Sequence, residues 1–210
     1  VFVGIETPNE ESLEECRKYQ NITRDLISCV KTMQKYGLQV MGGFIVGFDH
    51  DPLSIFQKQI DFIQKSGIVT AMVGLLNAPR GTKLYERLCK ANRLARDITG
   101  DNTDFSLNFI PKISYDTLLN GYKTIISGIY SPKAYYERAK QFLKEYSPRE
   151  KYHFNFSGIP EYIRLLRAFL RSLWILGIFD HARIHYWRFL LWTLFHKIKH
   201  LPLAITYAIY

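Results

Sequence analysis

Cysteine is scarce in this 210-residue chain, and the three that occur are far apart. Cys16, Cys29 and Cys89 form an odd, widely spaced set, which disfavours a disulfide framework and favours a reducing compartment. No two of them approach the close spacing at which thiolates of one loop hold a metal cluster. We therefore predict no disulfide and no metal site among these cysteines.

Several catalytic motifs are also missing. The sequence has no Gly-x-Ser-x-Gly nucleophile elbow, no phosphate-binding Walker loop and no His-Glu-x-x-His zinc motif. The glycines at positions 42, 43 and 47 lie inside an apolar run rather than at a strand-to-helix turn, so a dinucleotide site is not expected. The chain starts in an apolar strand pattern, without an initiator Met or a signal-peptide pattern, and we expect a fragment whose N-terminal part is missing.

Acidic residues are scarce in the last part of the chain. The net charge is +9, and residues 151–210 hold eight Lys and Arg against two acids, which places +6 of that charge there. With 47% hydrophobic and 22% charged residues, the composition is that of a globular protein. The length suits one core with a small appendage, and the composition changes near residues 147–158.

Alternating apolar strands and amphipathic helices are predicted for the first half of the chain. The predicted strands are residues 1–7, 38–49 and 68–82, and the predicted helices are 9–15, 22–36 and 82–92 together with one that begins at Pro52 and is stopped by Gly67. Gly37 and Gly67 are expected to end two of the helices, and Asp51 with Pro52 is expected to begin the one between them. Consecutive strand–helix units favour a parallel sheet with right-handed crossovers.

Three such units leave both edges of the sheet unpaired, so we expect them to complete a barrel begun upstream. The predicted fold class is α/β: the C-terminal part of a partial (β/α) barrel with parallel strands, followed by a mostly α-helical extension. A short strand is predicted within residues 105–111, and further helices are predicted at 114–130, 132–146, 160–177 and 181–199. This divides the chain into a barrel part (1–111), a helical extension (112–150) and a basic amphipathic helical tail (151–210).

The ends of the three predicted strands carry a specific combination of motifs. Gly-Ile-Glu at 4–6 is followed by Gly-x-Ile-x-Gly-Phe at 43–48 and by Asn-Ala-Pro-x-Gly-Thr at 77–82. In this order they resemble the second half of a radical S-adenosylmethionine enzyme, over the first two thirds of the chain. The match departs at Asp49-His50-Asp51, where many members have Pro-Gly-Glu, and Asp51 would replace that glutamate as a helix cap.

The resemblance implies two cofactors. S-adenosylmethionine would be reduced at its sulfonium by a 4Fe-4S cluster, giving a deoxyadenosyl radical that abstracts hydrogen from the substrate. The cluster ligands, a Cys-x-x-x-Cys-x-x-Cys loop, would lie upstream of Val1, so this fragment alone would be inactive. An electron donor protein is an implied partner.

The resemblance also assigns cofactor-binding roles at the strand ends. The residues concerned are Glu6, Thr7, Gly43, Ile45, Gly47, Asn77 and Pro79. The acid and the threonine beside it would accept hydrogen bonds from the ribose or the α-amino group, and the two glycines would let the ligand approach the backbone. The isoleucine would pack against adenine, and the Asn-Ala-Pro segment would shape a wall. No catalytic residue is identified, and His50, between two aspartates, is interpreted as part of a solvated turn rather than a metal or acid–base site.

Two later segments, Phe109-Ile110-Pro111 and residues 131–138, resemble a tail found on members that carry an upstream cobalamin-binding domain. Those members are often methyltransferases, some acting on lipids. The resemblance therefore admits cobalamin as a further cofactor and a small molecule or lipid as the substrate. Two other interpretations stay open: a non-catalytic membrane-associated or scaffolding protein with a decayed barrel, and a different α/β barrel enzyme whose catalytic groups lie upstream.

Two cationic amphipathic helices are predicted in the tail. Arg164, Arg167 and Arg171 share one face of the first helix, opposite its apolar residues. The uncharged runs 172–179 and 189–195 are far shorter than the ~20 residues that a spanning helix needs. The apolar faces would either lie on an anionic membrane surface or pack on the barrel or on each other, and periodicity does not distinguish the two.

Other partners of the tail are less well supported. Nucleic acid is not expected, because many of the aromatic residues share the apolar face. The pairs His181/His185 and His196/His200 have a spacing that could share a metal ion, but no carboxylate or cysteine cluster is near them in the sequence. We expect a cytoplasmic protein, peripheral on the inner face of the membrane if the tail binds lipid.

Overall fold

The first part of the chain folds around a parallel sheet. The structure, a computed structural model, describes residues 1–95, 107–148 and 159–209. The strands are β1 (Phe2–Glu6), β2 (Met41–Val46) and β3 (Ala71–Leu75), hydrogen-bonded in the order β1-β2-β3 with both pairs parallel. Gly4 lies opposite Gly43, and Ile45 lies opposite Gly74. The predicted α/β class is confirmed, with each strand shorter than the apolar run that predicted it.

Helices connect the strands. They are α1 (Glu10–Glu15), α2 (Leu26–Lys35), α3 (Ile55–Ser66) and α4 (Lys83–Lys90), with a 3-10 turn at Tyr19–Asn21 between α1 and α2. α2 begins later than predicted because the Asp25 side chain caps it, accepting from the backbone N–H of Ser28 at 3.1 Å. Gly67 ends α3 in the left-handed conformation, with φ of 71°, as the sequence predicted.

The rest of the described chain is helical. It contains α5 (Tyr115–Ile129), α6 (Pro132–Glu145) and α7 (Ile159–Trp174), the last continuing into a π-helical turn (Ile175–Phe179), and then α8 (Arg183–His196) and α9 (Leu201–Ile209). The sequence analysis missed α9, although Pro202 next to its first residue is a recognisable signal for a helix start. Of the strand predicted at 105–111, residues 105 and 106 lie outside the described residues, and Phe109 forms one isolated antiparallel bridge with Leu94.

One face of the sheet is covered by helices. Phe44 and Val46 of β2 are buried there with Ile63 of α3 and with Leu118 and Ile125 of α5, in a cluster that includes most of the buried apolar residues of the first half. The neighbouring residues in β2, which alternate with these, face the other side of the sheet. On that second side Phe2 and Met72 are exposed. We call it the open face of the sheet.

A second hydrophobic cluster attaches the tail to the helical extension. Phe142 and Leu143 of α6 are buried with Tyr186 and Leu190 of α8 and with Ala204 of α9. Part of the apolar surface of the tail therefore packs on the rest of the chain, as one of the two predicted alternatives requires. No helix among the described residues is long and apolar enough to cross a membrane.

Candidate functional site

A cleft of about 290 Å³ lies beside the carboxyl ends of β1 and β2. Its lining residues are Glu6, Glu15, Cys16, Arg17, Lys18, Ile45, Phe48, Leu76, Lys83, Leu84 and Arg87. They come from the ends of all three strands, from the segment around α1 and from α4. The carboxyl ends of parallel strands are where α/β proteins bind ligands, so this cleft is the candidate site.

Glu6 lies at a distortion of the sheet. The pairing of β1 with β2 shifts register between Gly4 and Glu6, and Glu6 has a φ of 67°. Its carboxylate lies 3.1 Å from Nζ of Lys18 and folds back over Gly4, where an added Cβ would be 2.6 Å from Oε1. A side chain at position 4 would displace the Glu6 carboxylate from this position. A non-glycine residue with positive φ is uncommon and is typical of functional sites.

The cleft combines apolar and cationic surface. Ile45 points to the open face of the sheet, and Phe48, Leu76 and Leu84 complete the apolar part of the lining. The lining also includes the exposed cations Arg17 and Lys83. A ligand with an apolar ring and an anionic group matches this lining.

Glu15, a buried acid at the end of α1, contacts α4 and the turn after β2 beside the cleft. The Glu15 side chain is 2% exposed and forms an ion pair with Arg87 of α4. It also accepts from the backbone N–H of His50 at 3.3 Å, and its Oε2 lies 2.9 Å from Nδ1 of the half-exposed His50 ring. The turn after β2 is therefore bound to α1 and α4. No group of three His, Cys, Asp or Glu residues in the described part of the chain could hold a metal ion.

The expected helix-capping role of Asp51 is wrong. α3 begins at Ile55, with Ser54 at its N-cap, and Pro52 lies before the helix. The Asp51 carboxylate instead turns back, accepting from the backbone N–H groups of Gly47 at 2.9 Å and Phe48 at 3.1 Å. Strand β2 ends at Val46, so these N–H groups need another acceptor. Burial raises the pKa of the Asp51 carboxyl despite these hydrogen bonds.

A second ion pair, which the sequence analysis missed, also holds the turn after β2. Both carboxylate oxygens of Asp49 accept from the Arg93 guanidinium, at 2.7 and 2.8 Å. Nε of Arg93 donates to the carbonyl of Ile110 at 2.8 Å. Burial works against the charge on Asp49, but the hydrogen bonds and charge of Arg93 lower the pKa of its carboxyl. Asp49 and Arg93 are 44 residues apart, so no local pattern predicts their contact.

The structure brings two of the predicted cofactor-binding residues together in the cleft, Glu6 and Ile45. Gly43 is on the open face but lies under Phe2, whose ring would be 2.7 Å from an added Cβ. Gly47, with φ of 108°, packs on Leu118, 3.1 Å from an added Cβ, and is outside the cleft lining. The backbone conformation at Gly47 disfavours any other residue.

Thr7, Asn77 and Pro79 shape loops near the cleft and are not among its lining residues. Oγ1 of Thr7 accepts from the backbone N–H of Asn9 at 3.3 Å, and the carbonyl of Pro79 accepts from Oγ1 of Thr82 at 2.7 Å. Oδ1 of Asn77 accepts from the backbone N–H of Asn108 at 3.3 Å. The buried Asn108 side chain, which the sequence analysis missed, bonds both backbone groups of the intervening Ala78, at 2.7 and 2.9 Å.

The helical part of the chain identifies its family. Residues 82–210 match a family described as a domain of unknown function, DUF4070, and the chain belongs to that family. This family is found in cobalamin-binding radical S-adenosylmethionine methylases, so the resemblance predicted from the strand-end motifs is confirmed.

Curated relatives extend the similarity to the first part of the chain. The chain is 33% identical, over 89% of its length, to an uncharacterized methyltransferase of Synechocystis, and 28% identical, over 99%, to the hopanoid C-2 methylase of Rhodopseudomonas palustris. It is also 30% identical, over 41%, to the bacteriochlorophyllide d C-12(1)-methyltransferase of Chlorobaculum tepidum, of which it covers 19%. The chain covers 34% and 39% of the length of the first two. No solved structure matches it significantly.

Proposed function

We propose that this chain forms part of the S-adenosylmethionine site of a radical S-adenosylmethionine methylase. The observation that carries the proposal is the meeting of Glu6 and Ile45 in one cleft, although they come from different strands. The names of the relatives, two methyltransferases and a methylase, support a methyl transfer reaction. We propose a small molecule or a lipid as the methyl acceptor.

The described residues suit the chemical groups of S-adenosylmethionine. The Glu6 carboxylate accepts hydrogen bonds of the kind that ribose hydroxyls and an α-amino group donate. Ile45 and Leu84 offer apolar surface to adenine, and an added Cβ at the neighbouring Gly74 would have no atom within 4 Å, which leaves room for a ring. The exposed Arg17 and Lys83 offer positive charge to the methionine carboxylate.

The described residues do not suit a 4Fe-4S cluster. Cys29 and Cys89 are exposed on α2 and α4, and burial raises the pKa of the Cys16 thiol, which disfavours the thiolate that binds iron. We therefore propose that the cluster, and any cobalamin, is held by parts of the protein outside this chain. The bound cluster would supply the electron that cleaves the sulfonium. The role proposed for this chain is to bind and orient S-adenosylmethionine.

Two substitutions in the full-length protein test the proposal. Glu6→Ala should weaken S-adenosylmethionine binding by about 1 to 3 kcal/mol, because it removes a hydrogen-bond acceptor for a polar ligand. Gly74→Leu should weaken it as well, because the new side chain fills the space beside Ile45 on the open face. Isothermal titration calorimetry measures both affinities.

Met72→Leu is the matched control, because Met72 is an exposed residue on the same face of β3. It should leave the affinity unchanged. Thermal unfolding should show that Gly74→Leu is folded, since nothing crowds that position. Wild-type affinity in both Glu6→Ala and Gly74→Leu would remove the cleft from the cofactor site and favour the non-catalytic interpretation.

A further inference from the structure

Helices α7 and α8 each expose a continuous apolar stripe. On α7 it consists of Ile163, Leu166, Leu170 and Trp174, and on α8 of Ile184, Trp187, Leu191 and Phe195. Spacings of three and four residues place each set on one side of its helix. The exposure is large, with Trp174 at 62% and Phe195 at 82%. Together with Ile175, Ile178 and Phe179 of the π-helical turn, which are also exposed, we call these residues the tail apolar surface.

The two stripes are joined by a well-packed turn. The rings of Trp174 and Phe179 meet edge to face, with centroids 5.5 Å apart. Nε1 of Trp187 donates to the carbonyl of Gly177 at 2.9 Å, and an added Cβ at Gly177 would be 3.2 Å from the indole. The turn therefore holds Trp174, Phe179 and Trp187 as a fixed aromatic tip.

The tail apolar surface is what remains exposed after the tail has packed on the rest of the chain. The opposite side of α8 is already buried through Tyr186, Phe189 and Leu190, and the hydroxyl of Tyr186 lies 3.0 Å from Oγ of Ser172 in α7. Monomeric soluble proteins rarely leave an apolar patch of this extent uncovered. The surface is therefore a candidate docking site.

Apart from one aspartate, the charged side chains described from position 163 onward are basic. Exposed arginines directly follow residues of the stripes: Arg167 and Arg171 on α7, and Arg188 on α8. The prediction that the α7 arginines lie opposite its apolar residues is therefore wrong, because a residue that follows a stripe residue lies beside it on the helix. Among the side chains that the structure describes from position 163 onward, Asp180 is the only acid, and its carboxylate is used locally to accept from the backbone N–H of Ala182. The side chain of Arg164, the third arginine of the predicted face, lies outside the described side chains.

We propose that the tail apolar surface docks on an anionic lipid bilayer. An apolar stripe with arginines along its edge and tryptophans at its tip matches a helix lying in the membrane interface, with its cations at anionic headgroups. A second copy of the chain would fit poorly, because face-to-face pairing would bring two basic margins together. Another protein surface would be expected to meet a rim of mixed polar residues, and this margin is cationic.

The structure separates the three tryptophans into two groups. Trp174 and Trp187 belong to the tail apolar surface, whereas Trp192 lies on another side of α8, stacked on His196 and 4.9 Å from Nζ of Lys140. The docked protein should therefore insert the first two indoles and leave the third outside the bilayer. This difference gives the proposal a readout that binding through any other surface would not give.

Vesicle flotation of the full-length protein is the first test. Binding is expected to vesicles of mixed phosphatidylcholine and phosphatidylglycerol, and to be much weaker with phosphatidylcholine alone or in high salt. Arg167→Gln combined with Arg171→Gln should weaken binding about thirtyfold at low salt. Phe195→Glu should weaken it at least as much, whereas Leu53→Glu, at a 68% exposed position before α3, should not.

Quenching by brominated lipid is the second test. The quenching should be lost in Trp174→Phe with Trp187→Phe and kept in Trp192→Phe. Absence of flotation with every vesicle, or equal flotation of Phe195→Glu and Leu53→Glu, would overturn the proposal. An oligomeric mass that falls in Phe195→Glu would assign the surface to a second copy instead, and retained quenching in the Trp174/Trp187 variant would place the membrane contact elsewhere.

Discussion

At the scale of single residues, Asp51 organises the turn beside the candidate site. Its carboxylate accepts from two backbone N–H groups of that turn, and also from the hydroxyl of the buried Ser12 at 2.7 Å. The residue is 7% exposed, so the charge is held in a poorly solvated place. The three hydrogen bonds lower the pKa of the Asp51 carboxyl, whereas burial raises it. Burial is the larger of the two effects.

We predict that Asp51→Asn changes the pH dependence of stability. Because the pKa of Asp51 is raised in the folded state, its favourable contribution is complete below the ordinary pKa of an aspartate and is lost as the pH rises through the raised value. Asparagine keeps an acceptor for the two N–H groups without the charge. The free energy of unfolding of the variant, measured by denaturant titration, should therefore increase relative to that of the wild type as the pH rises through the acidic range.

Two further variants make the Asp51 experiment decisive. Asp51→Ala leaves the N–H groups of Gly47 and Phe48 without their acceptor and should cost about 2 to 4 kcal/mol. Asp61→Asn, on the exposed side of α3, is the control and should run parallel to the wild type. If the free energy of unfolding of Asp51→Asn also had the same pH dependence as that of the wild type, the pKa of Asp51 would not be raised by burial.

Single residues also show where sequence reasoning stops. Caps that act within three residues, such as Thr82 on Tyr85 and Ser114 on Thr117, follow from residue type and position, as do the helix-ending glycines. The Glu15–Arg87 ion pair joins residues 72 apart and depends on how α1 and α4 are placed. Asp51 shows the same limit, because a cap and an acceptor for the preceding turn have the same sequence signature.

At the scale of elements, one arginine connects the helical extension to the part of the chain that contains the sheet. Arg138 of α6 is 1% exposed and has no carboxylate partner among the contacts described for it. Its guanidinium donates to the carbonyl of Ile129 at 2.7 Å, to that of Val69 at 3.1 Å and to Oε1 of Gln64. α6 is thereby fixed to the end of α5, to α3 and to the segment before β3. Burial lowers the pKa of Arg138 to about 10.

Replacing this arginine should destabilise the fold strongly. Arg138→Met removes three donated hydrogen bonds and leaves buried carbonyl groups unpaired, for an expected loss of about 3 kcal/mol in the free energy of unfolding. Arg138→Lys should recover only part of the loss, because an ammonium does not reproduce the planar fork. Denaturant titration compares both with Lys133→Met, a control at an exposed position of α6. Equal stability of Arg138→Met and Lys133→Met would show that the hydrogen bonds of Arg138 contribute nothing to the free energy of unfolding.

Helices and strands were predictable where the sequence has either a continuous apolar run or a clear helical period. β2 and β3 read as continuous apolar runs, with β2 buried on the helix-covered face and β3 only partly so, and α5 and α6 have a clear helical period with a serine before each. The apolar residues of α8 were not assignable in this way. Leu190 packs against the rest of the chain, whereas Leu191 is exposed, and the sequence does not distinguish two apolar sides of one helix.

At the scale of the whole molecule, the described residues form a cleft at the strand ends, an open sheet face and an exposed apolar surface on the tail. The sheet presents β1 and β3 at its two edges within the described residues. Partnering strands beside these edges would close a barrel, which remains a prediction, and would cover Phe2 and Met72. A cofactor on the open face would then be enclosed between this chain and the rest of the protein.

The last prediction concerns iron. Residues 1–210 alone, reconstituted anaerobically with iron and sulfide, should hold no stoichiometric 4Fe-4S cluster by Mössbauer spectroscopy, because the three cysteines lie on separate elements and the Cys16 thiolate is disfavoured by burial. In the full-length protein, replacing Cys16, Cys29 and Cys89 together by serine should leave the cluster content unchanged. Loss of the cluster in that variant, with folding shown intact by circular dichroism, would mean that this chain contributes an iron ligand.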